Sequence, residues 1–325
     1  MMHTASEHRP LRTGVLGLGR WGRTWLPVLS REAGVEVVVT AGGTPPDGHQ
    51  VPHHTDYRAA LDEPGLEAVV VTLPVRLHLE AAVAAVERGL HVLLEKPAVC
   101  DRAELDRLRA AAAAESGVVM VCQNYRERPW VASMREQLAT LGELSHVGID
   151  VARAEVLEGG RATLAHPLLD DLAIHHLDLL RHVTGQEASV VAATSRRPEW
   201  TTYSGETDVA ALLRLDDGAT VSYCGTWSAR GRQTPYDGDW TLRGAGGVVE
   251  VRDLVVLRDG IVVGGGEPTR AEPPDEDLAG VLRTFLAATQ GGPVPTSVED
   301  HARSLRLVFS IKEAAGLTQP FRTGS

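Results

Sequence analysis

The sequence predicts an α/β protein that combines an N-terminal Rossmann-type, doubly wound parallel sheet with a C-terminal α+β domain. Between residues 13 and 123, strands that are apolar along their whole length alternate with amphipathic helices, a pattern typical of a parallel sheet covered on both faces. A glycine-rich turn follows the first of these strands. After residue 124, strands with alternating polar and apolar residues are joined by short turns at residues 216–218 and 259–260, which predicts a large, mostly antiparallel sheet.

The N-terminal half begins with a buried strand at Gly14-Val15-Leu16 and a helix over residues 21–31. The run Val35-Glu36-Val37-Val38-Val39 is rich in β-branched residues and predicts the second strand. The alternation then predicts helices over residues 56–62, 78–88 and 102–115, and strands over residues 68–72, 91–94 and 118–122. We expect a dinucleotide-binding domain over residues 13–123, preceded by a disordered extension over residues 1–12.

The C-terminal half, residues 124–325, is predicted to be a domain for substrate binding and oligomerisation. Its patterns predict strands over residues 146–155, 189–194, 208–215, 219–228, 239–243 and 248–257, and helices over residues 130–140, 168–183, 276–288 and 298–315. These helices suffice to cover one face of the sheet and leave the other face open. Such an open face is a natural surface for a homodimer or homotetramer.

Length and charge limit the function classes. At 325 residues the chain exceeds the size at which one hydrophobic core stops growing, so two domains are expected. The formal net charge of −11, from 43 acidic and 32 basic residues, disfavours nucleic acid as a partner. No stretch has the length of a membrane span or a signal peptide, so we expect a cytoplasmic protein. Cys100, Cys122 and Cys224 are far apart and indicate reduced thiols and no metal site.

The glycine-rich turn Gly17-Leu18-Gly19-Arg20-Trp21-Gly22 has the pattern Gly-x-Gly-x-x-Gly. It follows a buried strand and opens a helix, the setting in which the first glycine makes a tight turn and the second admits a pyrophosphate. The helix N-terminus then offers N–H groups and partial positive charge to the anion. The alternative is that these glycines only shape a turn. In this context the pattern favours a bound dinucleotide.

The end of the second strand bears on which dinucleotide binds. An acidic residue there usually holds the adenine-ribose hydroxyls of NAD. Here the strand ends in Thr40-Ala41-Gly42-Gly43-Thr44, without a carboxylate. The small Gly42 and the hydroxyl of Thr44 leave room for a 2′-phosphate, which Arg20 in the turn is positioned to reach. The sequence therefore favours NADP and leaves NAD open.

A lysine follows the apolar strand 91–94. In Glu95-Lys96-Pro97 the proline fixes the turn, and the segment falls at the carboxyl edge where ligands of open α/β sheets bind. A lysine near a nicotinamide ring can donate a hydrogen bond to a substrate oxygen and favour its alkoxide form. The alternative is a solvated Glu–Lys pair at a strand end.

The predicted helix 168–183 carries a second polar group. Asp171, His175 and Asp178 are spaced by four and three residues, so on a regular helix they share one face. The alternatives are that Asp170 or Asp171 caps the helix and that the histidine is structural. The neighbouring His176 is interpreted as a packing residue or a second polar contact.

Together these residues resemble the glucose–fructose oxidoreductase / inositol dehydrogenase / MocA family of NAD(P)-dependent dehydrogenases, over nearly the whole chain. The resemblance rests on five motifs: Gly17-x-Gly19-x-x-Gly22, Thr72-Leu73-Pro74 with His78, Glu95-Lys96-Pro97, Asn124-x-Arg126, and Asp171-x-x-x-His175-x-x-Asp178. The chain departs from the family pattern at Val75, where asparagine is usual, and at Ala173, where glycine is common. It also has His166-Pro167 where glycines often precede the helix. These departures leave the substrate of this chain open.

The resemblance implies roles for the motif residues. Lys96 corresponds to the catalytic lysine, His175 to the proton-transferring histidine and Asp171 to the carboxylate that helps to hold substrate. The Lys96–Pro97 bond is commonly cis in the family. Cofactor-side positions are implied for Thr72, Leu73, Pro74, His78, Glu95, Lys96 and Asn124.

The expected reaction is oxidation of a secondary alcohol of a sugar, polyol or related small molecule, or reduction of the ketone. A histidine suits the proton transfer because its ordinary pKa lies near working pH. Arg153 is a candidate for orienting substrate, with a structural salt bridge as the alternative. Two other functions stay open: an imine reductase on the same fold, and a dinucleotide-binding regulator without catalysis. Trp200, Trp227 and Trp240 are expected in the core or an interface rather than stacked on sugar.

Overall fold

The computed structural model describes residues 9–154, 164–265 and 274–317. These residues form two compact units. The first contains residues 9–99, 103–124 and 274–300, and the second contains residues 100–102, 125–154, 164–265 and 301–317. The boundary near residue 124 lies where the sequence pattern changes. No helix within the described ranges is long and apolar enough to cross a membrane.

The first unit is built on a six-stranded parallel sheet. Its strands are β1 (Leu11–Leu18), β2 (Val35–Gly43), β3 (His53–His54), β4 (Ala68–Val71), β5 (His91–Leu94) and β6 (Val119–Val121). They lie in the order β3-β2-β1-β4-β5-β6. The helices are α1 (Arg20–Arg31), α2 (Tyr57–Ala60), α3 (His78–Val86) and α4 (Arg102–Ala114). This arrangement is the predicted doubly wound fold. Because β1 begins at Leu11, two residues of the predicted extension belong to the sheet, and residues 1–8 lie outside the described residues.

The core of the first unit follows from strand register. Val15, Val70 and Leu93 lie side by side on β1, β4 and β5, and all three are buried together with Trp25 of α1. Each such large apolar side chain contributes about 1.5–3 kcal/mol when fully buried. The β-branched and leucine-rich strands are therefore apolar throughout because helices cover the sheet.

One helix lies in a different unit from the one predicted. The helix expected over residues 276–288 of the C-terminal domain is α7 (Pro274–Thr289), and it belongs to the first unit. Its Leu278, Leu282 and Phe285 share a core cluster with Trp25 and Val28. The sequence assignment was wrong because helical periodicity shows that one face is apolar, not which sheet that face will cover.

The second unit is built on an eight-stranded sheet. Its strands are β7 (Leu144–Ala152), β8 (Ala188–Arg196), β9 (Asp208–Leu215), β10 (Thr220–Thr226), β11 (Asp239–Gly244), β12 (Gly247–Arg252), β13 (Val255–Arg258) and β14 (Ile261–Gly265). The order is β14-β13-β12-β11-β7-β10-β9-β8. Every neighbouring pair is antiparallel except β7 and β10. The helices are α5 (Pro129–Leu138), α6 (Ala173–Thr184) and most of α8 (Val298–Ala314).

Three predicted details of the second unit were wrong. The single strand expected over residues 248–257 is two strands, β12 and β13, because Asp253 and Leu254 adopt φ of 50° and 69° and reverse the chain. β14 was not predicted. The helix expected over residues 168–183 begins with a π turn, Leu168–Leu172, before α6. An insertion of this kind leaves no periodic signal in a short segment.

The sheet of the second unit has one buried and one open face. Along β9, Val209, Ala211 and Leu213 are buried, whereas Leu212 on the opposite face is exposed. β10 alternates in the same way. Exposed apolar side chains also occur at Val191 and along β14. Within this unit the predicted open face is therefore present, and it carries apolar residues.

Candidate functional site

The glycine-rich turn connects β1 to α1 and is shaped by two of its three glycines. Gly17 has φ of +109°, and a Cβ there would lie 2.7 Å from the Leu73 nitrogen. A Cβ on Gly22 would lie 1.8 Å from the Gly17 oxygen. A Cβ on Gly19, by contrast, would meet no atom within 4 Å. Steric need explains Gly17 and Gly22, and open space beside Gly19 fits the approach of a pyrophosphate.

The start of α1 adds the electrostatics that an anion requires. Gly19 is the N-cap, no side chain caps the helix, and its first turn holds no acidic residue. The first N–H groups of a helix lack partners within the helix and carry partial positive charge. Leu18 is buried, so it offers only its backbone, whereas Arg20 is exposed and its guanidinium lies 5.9 Å from the centre of the Trp21 indole. The turn therefore fits a dinucleotide phosphate through its backbone.

An arginine that the sequence reasoning missed lies at the end of β2. Arg23 of α1 donates from Nη2 to the Thr44 oxygen at 2.9 Å and from Nε to the Leu18 oxygen at 3.3 Å. Gly42 and Gly43 beside it have φ of 68° and 70°. Arg23 lies one helical turn after Arg20, and that spacing was the available signal. A cation therefore stands where the usual acidic residue is missing.

Thr72 and His78 bind backbone atoms. Thr72 Oγ1 donates to the Gly17 oxygen at 2.5 Å. His78 is buried, with Nδ1 2.9 Å from the Pro97 oxygen and Nε2 2.7 Å from the Leu73 oxygen. Burial lowers the pKa of His78 to about 4, so the ring is neutral and donates to one of these carbonyls at a time. Thr72 thus ties the end of β4 to the glycine-rich turn, and His78 ties the backbone of Leu73 to that of Pro97.

Glu95 also faces the interior of the first unit. Its Oε1 accepts from Trp25 Nε1 at 2.9 Å and its Oε2 accepts from the backbone N–H of Lys96 at 3.2 Å. Burial raises the pKa of Glu95, and the hydrogen bond from Trp25 and the charge of Lys96 oppose that rise. The carboxylate predicted to lie at the cofactor therefore anchors the end of β5 to α1.

Lys96 follows β5 directly, and the Lys96–Pro97 bond is cis, as the resemblance implied. β1, β4, β5 and β6 are parallel, so the residues that follow them lie at one edge of the sheet. Those residues include the glycine turn, Thr72, Lys96 and Asn124. The first unit thus gathers its predicted site residues at the edge where open α/β sheets bind ligands.

In the second unit, Asp170 and Asp171 differ in environment. Asp170 is buried, accepts from the backbone N–H of His166 at 3.1 Å and forms an ion pair with Lys312. Asp171 is half-buried in the π turn. The regular four-residue spacing that placed Asp171 and His175 on one helix face does not apply across such a turn. Asp170 is structural, and Asp171 is the carboxylate with exposed surface.

His175 and Asp178 of α6 are held by two consecutive residues, Tyr125 and Arg126. The ring of Tyr125 stacks on the imidazole of His175, with centroids 4.0 Å apart and planes 8° apart. The next residue, Arg126, donates to the two Asp178 oxygens from Nε and Nη2 at 2.6 Å each. Sequence reasoning found Arg126 only as a motif residue and missed Tyr125. The structure shows what the motif does: it fixes the helix that carries His175.

His176 is structural, as the sequence interpretation allowed. Its Nε2 lies 2.7 Å from the Tyr236 oxygen and its Nδ1 3.2 Å from the Tyr223 hydroxyl. Burial lowers the pKa of His176 to about 4, so a neutral ring donates to Tyr236 and accepts from Tyr223. The imidazole thereby ties α6 to β10 and to the loop before β11.

Arg153, predicted to orient substrate, follows β7 and packs against an aromatic ring. Its Nη1 donates to the Thr234 oxygen at 2.8 Å, and its guanidinium lies 4.1 Å from the centre of the Tyr236 ring. Trp227 and Trp240 are buried, and Trp200 is 49% exposed. Among the described residues, no cluster of three or more His, Cys, Asp or Glu side chains has the geometry of a metal site.

Comparisons with known proteins identify the family of this chain. The family model described as an oxidoreductase family with an NAD-binding Rossmann fold matches residues 11–123, and the GFO/IDH/MocA C-terminal domain model matches residues 132–250. A protein of Amycolatopsis mediterranei described as a UDP-kanosamine synthase oxidoreductase subunit is 32% identical over 249 residues, covering 67% of this chain and 69% of the relative. Inositol 2-dehydrogenase of Streptomyces avermitilis is 33% identical over 152 residues, covering 45% and 42%.

Solved structures share the fold over nearly the full length. An oxidoreductase from Agrobacterium radiobacter, in complex with NAD+, L-tartaric acid and magnesium, has a TM-score of 0.85 at 17% identity, covering 97% of this chain and 99% of that one. A protein from gentamicin A biosynthesis in complex with NAD has a TM-score of 0.82 at 19% identity, covering 100% and 99%. At these identities the likeness is one of fold.

Proposed function

Because the chain belongs to the GFO/IDH/MocA family of NAD-binding oxidoreductases, we propose that it oxidises a secondary alcohol of a sugar or polyol, or reduces the corresponding ketone. The observation that carries this proposal is the position of Lys96. It directly follows β5, at the same sheet edge as the glycine turn. A lysine at that edge lies where the fold presents the reactive end of a dinucleotide.

Five side chains and the bound dinucleotide divide the proposed chemistry. The bound dinucleotide supplies or accepts a hydride at its nicotinamide ring. The ammonium group of Lys96 donates a hydrogen bond to the substrate oxygen and stabilises its alkoxide form. His175 takes the hydroxyl proton during oxidation and returns it during reduction. Asp171, as an acceptor, binds a neighbouring hydroxyl, and Arg153 with the Tyr236 ring forms a wall that orients the sugar.

The substrate class is supported by what related proteins act on. Relatives of this chain include proteins named inositol 2-dehydrogenase, levoglucosan dehydrogenase and a UDP-kanosamine synthase oxidoreductase subunit. All three names denote a polyhydroxylated ring. A donor, an acceptor and an aromatic wall, as provided by Arg153, Asp171 and Tyr236, suit such a ring.

The decisive test is turnover of purified full-length protein with NAD and NADP against myo-inositol, levoglucosan, UDP-glucose, keto-sugars and a cyclic imine. We expect activity on at least one hydroxyl or ketone. Lys96→Met and His175→Gln should each lower kcat by about 10²–10⁴, the typical contribution of such groups, while NAD(P)H affinity stays within about threefold. His146→Gln, on β7 of the same unit, is the matched control and should retain activity. Reduction of the imine alone, or unchanged turnover in both variants, contradicts the proposal.

We further propose that NADP is preferred. No carboxylate at Gly42–Thr44 repels a 2′-phosphate, and the guanidinium of Arg23 lies beside it. Fluorescence titration should then show tighter binding of NADPH than of NADH, and Arg23→Met should remove most of that difference while leaving NADH affinity unchanged. Arg31→Met, at the other end of α1, is the control. Equal affinities for NADPH and NADH in the wild-type protein would refute the preference for NADP.

The open face of the eight-stranded sheet supports a homo-oligomer. Val191 of β8 and Leu212 of β9 are 50% and 42% exposed, and soluble monomers rarely leave such side chains uncovered in one patch. We expect a dimer or tetramer by light scattering. Leu212→Arg should shift the oligomer toward a smaller assembly. Arg214→Glu, on the same face of the sheet, tests whether a change of charge alone is enough to shift the oligomer. A monomer at micromolar concentration refutes this part of the proposal.

A further inference from the structure

Tyr125 belongs to a stack of three side chains whose inner member is His175. The Tyr125 ring lies parallel to the imidazole, with centroids 4.0 Å apart. The guanidinium carbon of Arg128 lies 4.3 Å from the centre of the same Tyr125 ring. Because the imidazole already covers one face of that ring at this distance, the guanidinium must cover the other. The order of the stack is therefore Arg128, Tyr125, His175.

The outer end of the stack is fixed by a buried carboxylate. Arg128 Nε lies 3.2 Å from Oδ1 of Asp237, and the same oxygen accepts from Trp130 Nε1 at 3.1 Å. Asp237 is buried, and burial raises its pKa, although the charge of Arg128 opposes that rise. A buried carboxylate needs a paired cation, so Arg128 is held in place. Its guanidinium in turn holds the Tyr125 ring by a cation–π contact.

The helix beneath His175 is held by the neighbour of Tyr125. Arg126 binds both oxygens of Asp178, three residues along α6 from His175. The backbone at Tyr125 therefore has a fixed position relative to α6. The imidazole is restrained twice, through the position of its helix and through the plane of its ring.

We propose that Tyr125 is a positioning residue for His175, fixing the plane of the imidazole so that it exchanges a proton with substrate in one orientation. The inference rests on the proposed role of His175 as the proton-transferring group. A stacked ring restrains rotation of the imidazole through its face and so does not itself occupy a ring nitrogen. This suits a group whose nitrogen must gain and lose a proton in each turnover.

The stack is tested without turnover by NMR of the full chain with 13C-labelled histidine rings. The His175 resonance is assigned by its loss in His175→Gln. A proton above an aromatic face is shifted upfield, so Tyr125→Phe should keep the resonance position and Tyr125→Leu should move it downfield. Tyr203→Phe, elsewhere in the second unit, should leave it unchanged. An unshifted His175 resonance in Tyr125→Leu overturns the stack.

The positioning role is tested with whichever probe of the polyol panel the wild-type protein turns over fastest. Tyr125→Leu should lower kcat about tenfold, because a small misplacement of a reacting group is costly. KM and the NADPH dissociation constant should change less than about threefold, and Tyr125→Phe should stay within about twofold of wild type. If Tyr125→Leu does not fold, Tyr125→Met, with its flexible side chain, replaces it.

Two outcomes overturn the positioning role, and they differ from failure of the proposed function. Wild-type kcat in Tyr125→Leu shows that the ring is dispensable. An equal loss in Tyr125→Phe and Tyr125→Leu shows that the hydroxyl acts instead of the ring face. If the wild-type protein turns over no probe, the proposed function fails, and the positioning role falls with it while the NMR result still decides the stack.

Discussion

The ion pair between Arg126 and Asp178 gives the sharpest prediction about stability. Its side chains are only 10% and 1% exposed. Two bonds of 2.6 Å join the guanidinium fork to the carboxylate, and Ser304 Oγ donates to the same carboxylate at 2.8 Å. Asp178→Asn keeps the shape of the side chain but leaves a buried guanidinium without its counter-charge. Breaking one partner of a buried pair costs about 3–5 kcal/mol.

At roughly 2–4 °C per kcal/mol for a domain of this size, Asp178→Asn should lower the Tm by about 10 °C. Urea denaturation followed by tryptophan fluorescence measures the free energy directly. Asp253→Asn is the matched control: Asp253 pairs with Arg232 in the same unit, but both side chains are more than half exposed, so it should cost less than about 0.5 kcal/mol.

A double mutant separates loss of the charge pair from loss of packing. Adding Arg126→Met to Asp178→Asn removes the orphaned cation, so the double mutant should lose less stability than the two single mutants together, by about 1–3 kcal/mol. Strictly additive losses, or a loss below about 1 kcal/mol in Asp178→Asn, refute the argument that this pair fixes α6.

Three further predictions follow from the geometry. Burial lowers the pKa of His176 in the folded protein to about 4, below the ordinary 6.5. Unfolding therefore takes up a proton, and the free energy of unfolding falls as the pH drops from 6.5 toward 4, by about 1.4 kcal/mol per pH unit. His176→Gln should reduce the slope of stability against pH by the contribution of one proton. Trp25→Phe removes the donor to buried Glu95 and should cost about 1–3 kcal/mol in urea unfolding, and a neutral result shows that the carboxyl group finds another donor. Gly19→Val should fold and should weaken NADPH binding at least about tenfold. Gly22→Val should not yield folded protein, since its Cβ would lie 1.8 Å from the backbone oxygen of Gly17. If circular dichroism and NADPH titration show the same behaviour for both variants, the two glycines do not have the separate roles described above.

Features set by neighbouring residues could be predicted from the sequence, and features set by distant ones could not. The glycine turn, β2 and the position of Lys96 after β5 each follow from a few consecutive residues, and the structure has them. The reversal at Asp253-Leu254 was missed because the strand-like segment 248–257 contains no glycine or proline. Tyr125 was missed because its partner, His175, is 50 residues away, and no periodicity links two side chains across that distance.

The motif residues lie in different environments, and the resemblance alone did not distinguish between them. Glu95 and His78 were expected at the cofactor, yet both are buried and their polar atoms bind Trp25 or backbone carbonyls. A buried polar group with protein partners stabilises a backbone position, and the backbone it fixes is the one that carries Lys96. Substituting Glu95 or His78 should therefore lower stability and kcat together, whereas substituting Lys96 should lower kcat and leave stability nearly unchanged.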